Sequence, residues 1–217
     1  EQDKRVLMAY QQQLANISSG FSANRKYSLT VLLEPLFGFA AERSVHNDPI
    51  AENRALLTVL AAYANGHSLQ KLTGKAGVKP KKLKLYLHKR HDFVQHFTIS
   101  AGLAVQGGKT LADAVGLYKE YADKKTSSGF SFTDLAADRA GVRLAELATA
   151  SKSSAHKIQQ HMSGRLTEAS FMPRTRDLPE GLSASTFQRK YQGGTGPAYQ
   201  RVVDLIEQRI DGLAINR

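Results

Sequence analysis

The sequence predicts a mainly α protein, a single helical domain of about seven to nine helices with at most a short β-hairpin near residues 82–88. Three observations carry this reading. Apolar residues recur at three- and four-residue spacing through most of the chain, strand-like alternation is confined to one segment, and the breaks between periodic stretches coincide with Gly, Pro or polar turn residues. With 217 residues, 41% of them hydrophobic, the chain can bury a core and is not a disordered tail.

Val6, Leu7, Tyr10, Leu14 and Ile17 share one helical face, which makes residues 4–17 an amphipathic first helix. Residues 28–45 read as a second, with Pro35 either kinking it or starting its second half. Asp48 and Pro49 form an N-cap and first-turn pair for a third helix that closes at Gly66. In residues 71–91 a turn-rich stretch leads into Leu83, Leu85 and Leu87 alternating with Lys84, Tyr86 and His88, the one plausible strand. Helical pattern resumes over residues 92–106, breaks at Gly107 and Gly108, runs through 110–124, and returns over 131–150. There the Ser131 hydroxyl caps the helix start and Asp134 completes a capping box. Ser153 or Ser154 caps a helix reaching Phe171, residues 173–181 form a polar connector, and Gly196 with Pro197 opens a final helix. The single domain therefore spans 1–217, with 1–70 and 91–217 as sub-parts joined by the basic segment 71–90.

The net charge is +11, and there are no cysteines, which excludes disulfides, thiol nucleophiles and thiolate metal sites. The longest apolar stretch, residues 29–41, is interrupted by Glu34 and Pro35 and falls short of the ~20 residues of a membrane span, so no transmembrane segment is expected. The chain begins at Glu1 with no basic-then-apolar leader, so either a signal peptide has been removed or the chain is trimmed.

Polar residues concentrate on the three central helices. Asp92 and His96 are four apart and share a face with Ile99 and Leu103, Asp113, Glu120 and Asp123 lie on the next helix, and Asp134 and Asp138 on the third. One imidazole and several carboxylates on neighbouring helices suit either a divalent metal or an acid–base pair. The bland alternative is that Asp134 is only a capping acid, Asp92 and Asp123 are solvated, and His96 is a hydrogen-bonded core histidine.

The strings RHDFVQHF (90–97), LADAVGLYKEYAD (111–123) and GFSFTDLAADRAG (129–141) resemble a family of uncharacterised bacterial proteins that usually carry export signals. That likeness extends to DPIAENRALL (48–57) and GPAYQRVVDLIEQRI (196–210). The middle third also resembles the VanZ-like pattern at Asp92, His96, Phe97, Glu120, Gly129, Ser131, Asp134 and Gly141, departing from it in being hydrophilic and in carrying Asp138. The resemblance implies a periplasmic or secreted protein of the cell envelope, and it marks the polar positions as functional.

The leading expectation is a catalytic set of His96, Glu120, Asp134 and Asp138, hydrolytic in type, or a divalent metal held by His96, Glu120 and Asp138. The rival is a non-enzymatic module that binds an anionic polymer, whether nucleic acid, lipid headgroups or cell-wall polymer. Its residues would be Lys79, Lys81, Lys82, Lys84, Lys89 and Arg90, within a segment that has no Asp or Glu. No helix-turn-helix, RNA-recognition or zinc-finger pattern accompanies these lysines, so sequence-specific DNA recognition is not expected. His88, His91 and His96 lack the spacing of a compact zinc site, the Gly193–Gly196 run lacks the Lys-Ser/Thr of a P-loop, and no Gly-x-Ser-x-Gly elbow is present.

Overall fold

The computed structural model of the chain describes residues 2–74, 77–106 and 129–217. Ten α-helices are found among them: α1 (Gln2–Ser19), α2 (Thr30–Arg43), α3 (Pro49–Ala64), α4 (Leu69–Thr73), α5 (His91–Ala104), α6 (Phe132–Thr149), α7 (Lys152–Ser163), α8 (Glu168–Phe171), α9 (Ala184–Tyr191) and α10 (Pro197–Asp211). Short 3₁₀ turns follow α9 and α10. The expected helix over 110–124 lies outside the described residues. Among those described, no helix is long and apolar enough to cross a membrane.

Helix α3 is the hub. Glu52, Asn53 and every residue from Ala55 to Ala62 are buried, so it is covered on nearly all sides, by α1, α2, α5, α6 and α7. Pro49 takes the first turn, where a missing N–H costs nothing. Asp48 precedes it with extended backbone but makes no side-chain cap; its carboxylate instead faces Lys152 across the surface at 3.9 Å. Pro35 sits inside α2, which continues past it as one helix, so the proline neither ends nor starts a helix.

Two polar groups are buried deep in this core. Glu52 is 1% exposed and takes a bidentate contact from Arg43, at 2.8 and 3.0 Å, together with the Tyr10 hydroxyl at 2.8 Å. Asn53 donates to the Ala148 and Ala155 carbonyls, and Gln159 donates to Asn53 and Ser44, tying α3, α6 and α7 together where their backbone polar groups need partners. Burial first, then the charge of Glu52, pushes the Tyr10 phenol far above its ordinary value of 10.0. The folded form therefore keeps this group neutral. Its contribution is fully present below pH 10 and is lost at higher pH, at about 1.4 kcal/mol per pH unit. An ultraviolet tyrosinate titration should show at least one phenol ionising only with alkaline unfolding, and Tyr10→Phe should lower that number by one; a phenol complement that titrates completely before unfolding would contradict this.

The strand near residues 82–88 is present as β2 (Lys84–Tyr86), but the expected hairpin is replaced by a parallel pairing with β1 (Lys26–Ser28), in register Lys26 to Lys84 and Ser28 to Tyr86. Alternation reveals which face of a strand is buried, here Leu83, Leu85 and Leu87, and carries no information about its partner. Just beyond, Leu87 and Arg90 exchange backbone hydrogen bonds of 2.9 and 2.8 Å around His88 and Lys89, both at positive φ (48° and 65°). That is the geometry of a tight mirror-image turn without its usual Gly or Asn. Glu168 holds it, accepting from the His88 N–H at 2.8 Å and the Ser28 hydroxyl at 2.6 Å.

Two other local expectations are corrected. The Ser131 hydroxyl does not cap α6 but accepts from the Gly181 N–H at 3.0 Å, so no capping box forms and Asp134 is released for other contacts. The helix expected from Ser153 or Ser154 to Phe171 starts from a Ser151 cap and stops at Ser163, because the Gly164 backbone is extended and the Leu166 N–H turns to Glu34 at 3.0 Å.

Helices α5 and α6 cross closely. A Cβ on Gly141 of α6 would lie 2.1 Å from the Phe97 carbonyl oxygen of α5, and one on Gly102 of α5 would lie 2.4 Å from the Ala61 Cβ of α3. Absent side chains let the three helices stack with backbones nearly touching.

Candidate functional site

This crossing assembles the polar residues. Asp92, His96 and Ser100 stand at four-residue spacing on α5, and Asp134 and Asp138 do so on α6, so each set forms one stripe and the stripes face each other. His96 Nδ1 lies 2.9 Å from Asp138 Oδ1, and Ser100 donates to that same oxygen at 2.8 Å. On the other side of the ring, Nε2 faces Asp134 Oδ2 at 3.4 Å. His96 and Asp134 are nearly enclosed, with side chains 6% and 11% exposed.

Arg90, one residue before α5, closes the outer side. Its guanidinium contacts Asp92 twice, at 2.5 and 3.1 Å, pairs with Glu180, and lies 3.7 Å from Asp134 Oδ1. It also stacks on Phe93, with the central carbon 4.1 Å from the ring centre. Glu180 comes from the 173–181 connector and accepts in addition from the Thr133 hydroxyl at 3.2 Å. The Asp92 hydrogen bond, outweighing burial, raises the Arg90 guanidinium above its ordinary value. For Asp92, burial pushes up, but the hydrogen bond and charge of Arg90 win and hold it below the usual carboxylate range.

Among the described residues, four carboxylates thus surround one guanidinium and one imidazole, an acidic arrangement in a chain of net charge +11. Exposure rises outward, from His96 through Asp138 at 28% and Arg90 at 34% to Glu180 at 53%, so the cluster opens toward the connector.

The structure brings together His96, Asp134 and Asp138. Glu120, with Asp113 and Asp123, lies outside the described residues. Among the described residues no group of three or more His, Asp or Glu is arranged to hold a metal ion. Geometry explains this: both ring nitrogens of His96 already face carboxylate oxygens, so a metal would have to displace one of them. His91 does not join the cluster, since its Nδ1 engages the Leu85 carbonyl at 2.9 Å. An open cavity of about 650 Å³ lies elsewhere, lined by Leu147, Ser154, Lys157, His161 and Ile215, and contains no site residue.

Sequence reasoning missed two members. The basic neighbours of Arg90 group it with the lysines, yet it belongs to the acidic cluster; Asp92 two residues on is the available signal. Glu180 sits in an irregular connector, where no periodicity could point to it.

Comparison of the chain with protein-family models, curated proteins and solved structures returns no match.

Proposed function

We propose that this chain is an acid–base enzyme of hydrolytic type acting in the bacterial cell envelope, with His96 as the proton carrier. The observation that carries the reading is the placement of one buried imidazole between two carboxylates on a neighbouring helix, 2.9 Å from Asp138 and 3.4 Å from Asp134. The short contact orients. Asp138, itself fixed by Ser100, takes the Nδ1 hydrogen and so presents Nε2 toward Asp134. In the neutral form Nε2 takes a proton from a bound group, giving an imidazolium flanked by Asp138 and Asp134, and returns that proton to the leaving group. Asp134 then acts as the partner carboxylate and Arg90 as its outer counter-charge at 3.7 Å. The surrounding Asp92, Asp138 and Glu180 disfavour anionic substrates, so a neutral or cationic ester or amide is the expected class. The envelope location follows from the family resemblance of residues 90–141.

The test is a panel of neutral, cationic and phosphorylated chromogenic substrates, run on wild type, His96→Gln and Asp138→Asn. Turnover of neutral or cationic substrates should fall at least about 100-fold in His96→Gln, with the circular dichroism spectrum unchanged. No turnover by wild type, joined to a lower melting temperature in His96→Gln, would make the cluster a structural tie between α5 and α6. Stoichiometric metal in wild type that disappears in His96→Gln would instead make His96 a ligand.

A further inference from the structure

Acidic residues are missing from two long stretches, residues 4–33 and 53–91. The fold lays parts of these two stretches side by side. Gln11 of α1 donates to the Val78 carbonyl at 3.1 Å, and the Lys81 N–H donates to the Ser18 hydroxyl at 3.0 Å. Three residues of the 77–83 segment thus match seven residues of helix, about 10 Å, so the segment is fully extended along α1. It then enters β2 and pairs with β1.

This geometry sorts the lysines. Lys81 donates its amine to the Ser19 and Phe21 carbonyls at 3.0 and 2.8 Å, satisfying the end of α1, and Arg90 belongs to the acidic cluster. Lys79, Lys82, Lys84 and Lys89 are exposed, and among the described residues none has an ion pair. Strand alternation sends Lys82 and Lys84 outward while Leu83 and Leu85 go in. β1 adds two cations that residues 71–90 could not reveal. Lys26 stands directly opposite Lys84 in register, its amine 5.0 Å from the Tyr86 ring centre, and exposed Arg25 precedes it.

Neighbouring strands lie about 4.8 Å apart and alternate strand residues about 6.6 Å, both less than the ~8 Å over which physiological salt screens charge. Like charges opposite each other on paired strands destabilise the sheet. A ligand with several negative charges along a line relieves that repulsion; a single small anion relieves little of it. An anionic membrane surface would call for apolar groups beside the lysines, and of the large apolar residues exposed in the described chain only Val78 lies here.

We propose that residues 77–89, with β2 and the turn after it, and β1 together form a track for a flexible linear phosphodiester polymer, bound without sequence preference through Lys26, Lys79, Lys82, Lys84 and Lys89. The track is independent of the His96 chemistry.

The experiment measures fluorescence anisotropy of a labelled oligothymidylate against the full chain over a salt series. Five phosphate contacts predict a log–log salt slope of about −3.5 at ~0.7 per contact, and Lys26→Gln/Lys82→Gln/Lys84→Gln should flatten it by about 2. The melting temperature of this triple variant should stay equal or rise, because like-charge repulsion is removed. A control, Lys157→Gln/Lys190→Gln, should leave the slope unchanged. Absence of binding at low salt, equal loss in the control, or tighter binding to vesicles rich in anionic lipid than to the oligonucleotide would overturn the proposal.

Discussion

Gly141→Ala is expected to destabilise the protein by about 3 kcal/mol, a fall of roughly 6–12 °C in melting temperature for a chain of this size. The added methyl carbon would sit 2.1 Å from the Phe97 carbonyl oxygen, 3.0 Å from its carbon and 3.2 Å from the Ala101 nitrogen, all backbone atoms that cannot rotate away. Relief requires α5 and α6 to move apart, which also lengthens the His96–Asp138 contact one turn away. Helix propensity alone predicts the opposite sign, since Ala is better than Gly inside a helix by roughly 1 kcal/mol. Gly38 in α2 supplies the contrast: its added carbon would meet only the Ser163 Cβ at an ordinary 3.8 Å. Gly38→Ala should therefore be neutral or stabilising. Parallel thermal melts of both variants decide the matter, and equal behaviour of the two would mean that α5 and α6 do not pack backbone against backbone at Gly141.

Arg43→Met should cost about 3–5 kcal/mol, because it leaves the Glu52 carboxylate buried beside Tyr10 without its counter-charge. The partner change should cost less. Glu52→Gln leaves Arg43 able to reach water, since its side chain is 28% exposed. Combining Arg43→Met with Glu52→Gln should then recover part of the stability lost in Arg43→Met alone, a coupling that a double-mutant cycle reads directly by denaturant unfolding. A loss below about 1 kcal/mol in Arg43→Met would place this pair with ordinary surface ion pairs.

Helix positions were legible in the sequence because helix formation leaves a local mark. Tyr10 and Leu14, or Asp134 and Asp138, need only a four-residue spacing to share a face, and that spacing survives whatever the helix packs against. Ends marked by chain-specific chemistry were legible as well, Pro49 and Pro197 opening α3 and α10 where their missing N–H groups are harmless. Side-chain caps were less so. Ser131 and Asp134 have the spacing of a capping box, yet Gly181 takes the Ser131 oxygen while His96 and Arg90 face the Asp134 carboxylate. A cap is one hydrogen bond among several available to a short polar side chain, and only the assembled neighbours decide which forms.

Residue spacing was enough to assign the faces: an inward His96 among carboxylates, an outward Lys82 and Lys84, an apolar ridge on each long helix. Which faces meet was settled by packing. It paired β2 with the three-residue β1, too short to show any alternation, and so placed Lys26 against Lys84. It also took Arg90 out of a basic segment and set it among Asp92, Asp134 and Glu180. The reason is physical. Periodicity is a property of neighbouring residues on one chain segment, whereas pairing is a competition among surfaces distant in sequence, settled by apolar burial, by the space that Gly141 and Gly102 leave for close packing, and by the need of buried charges for partners.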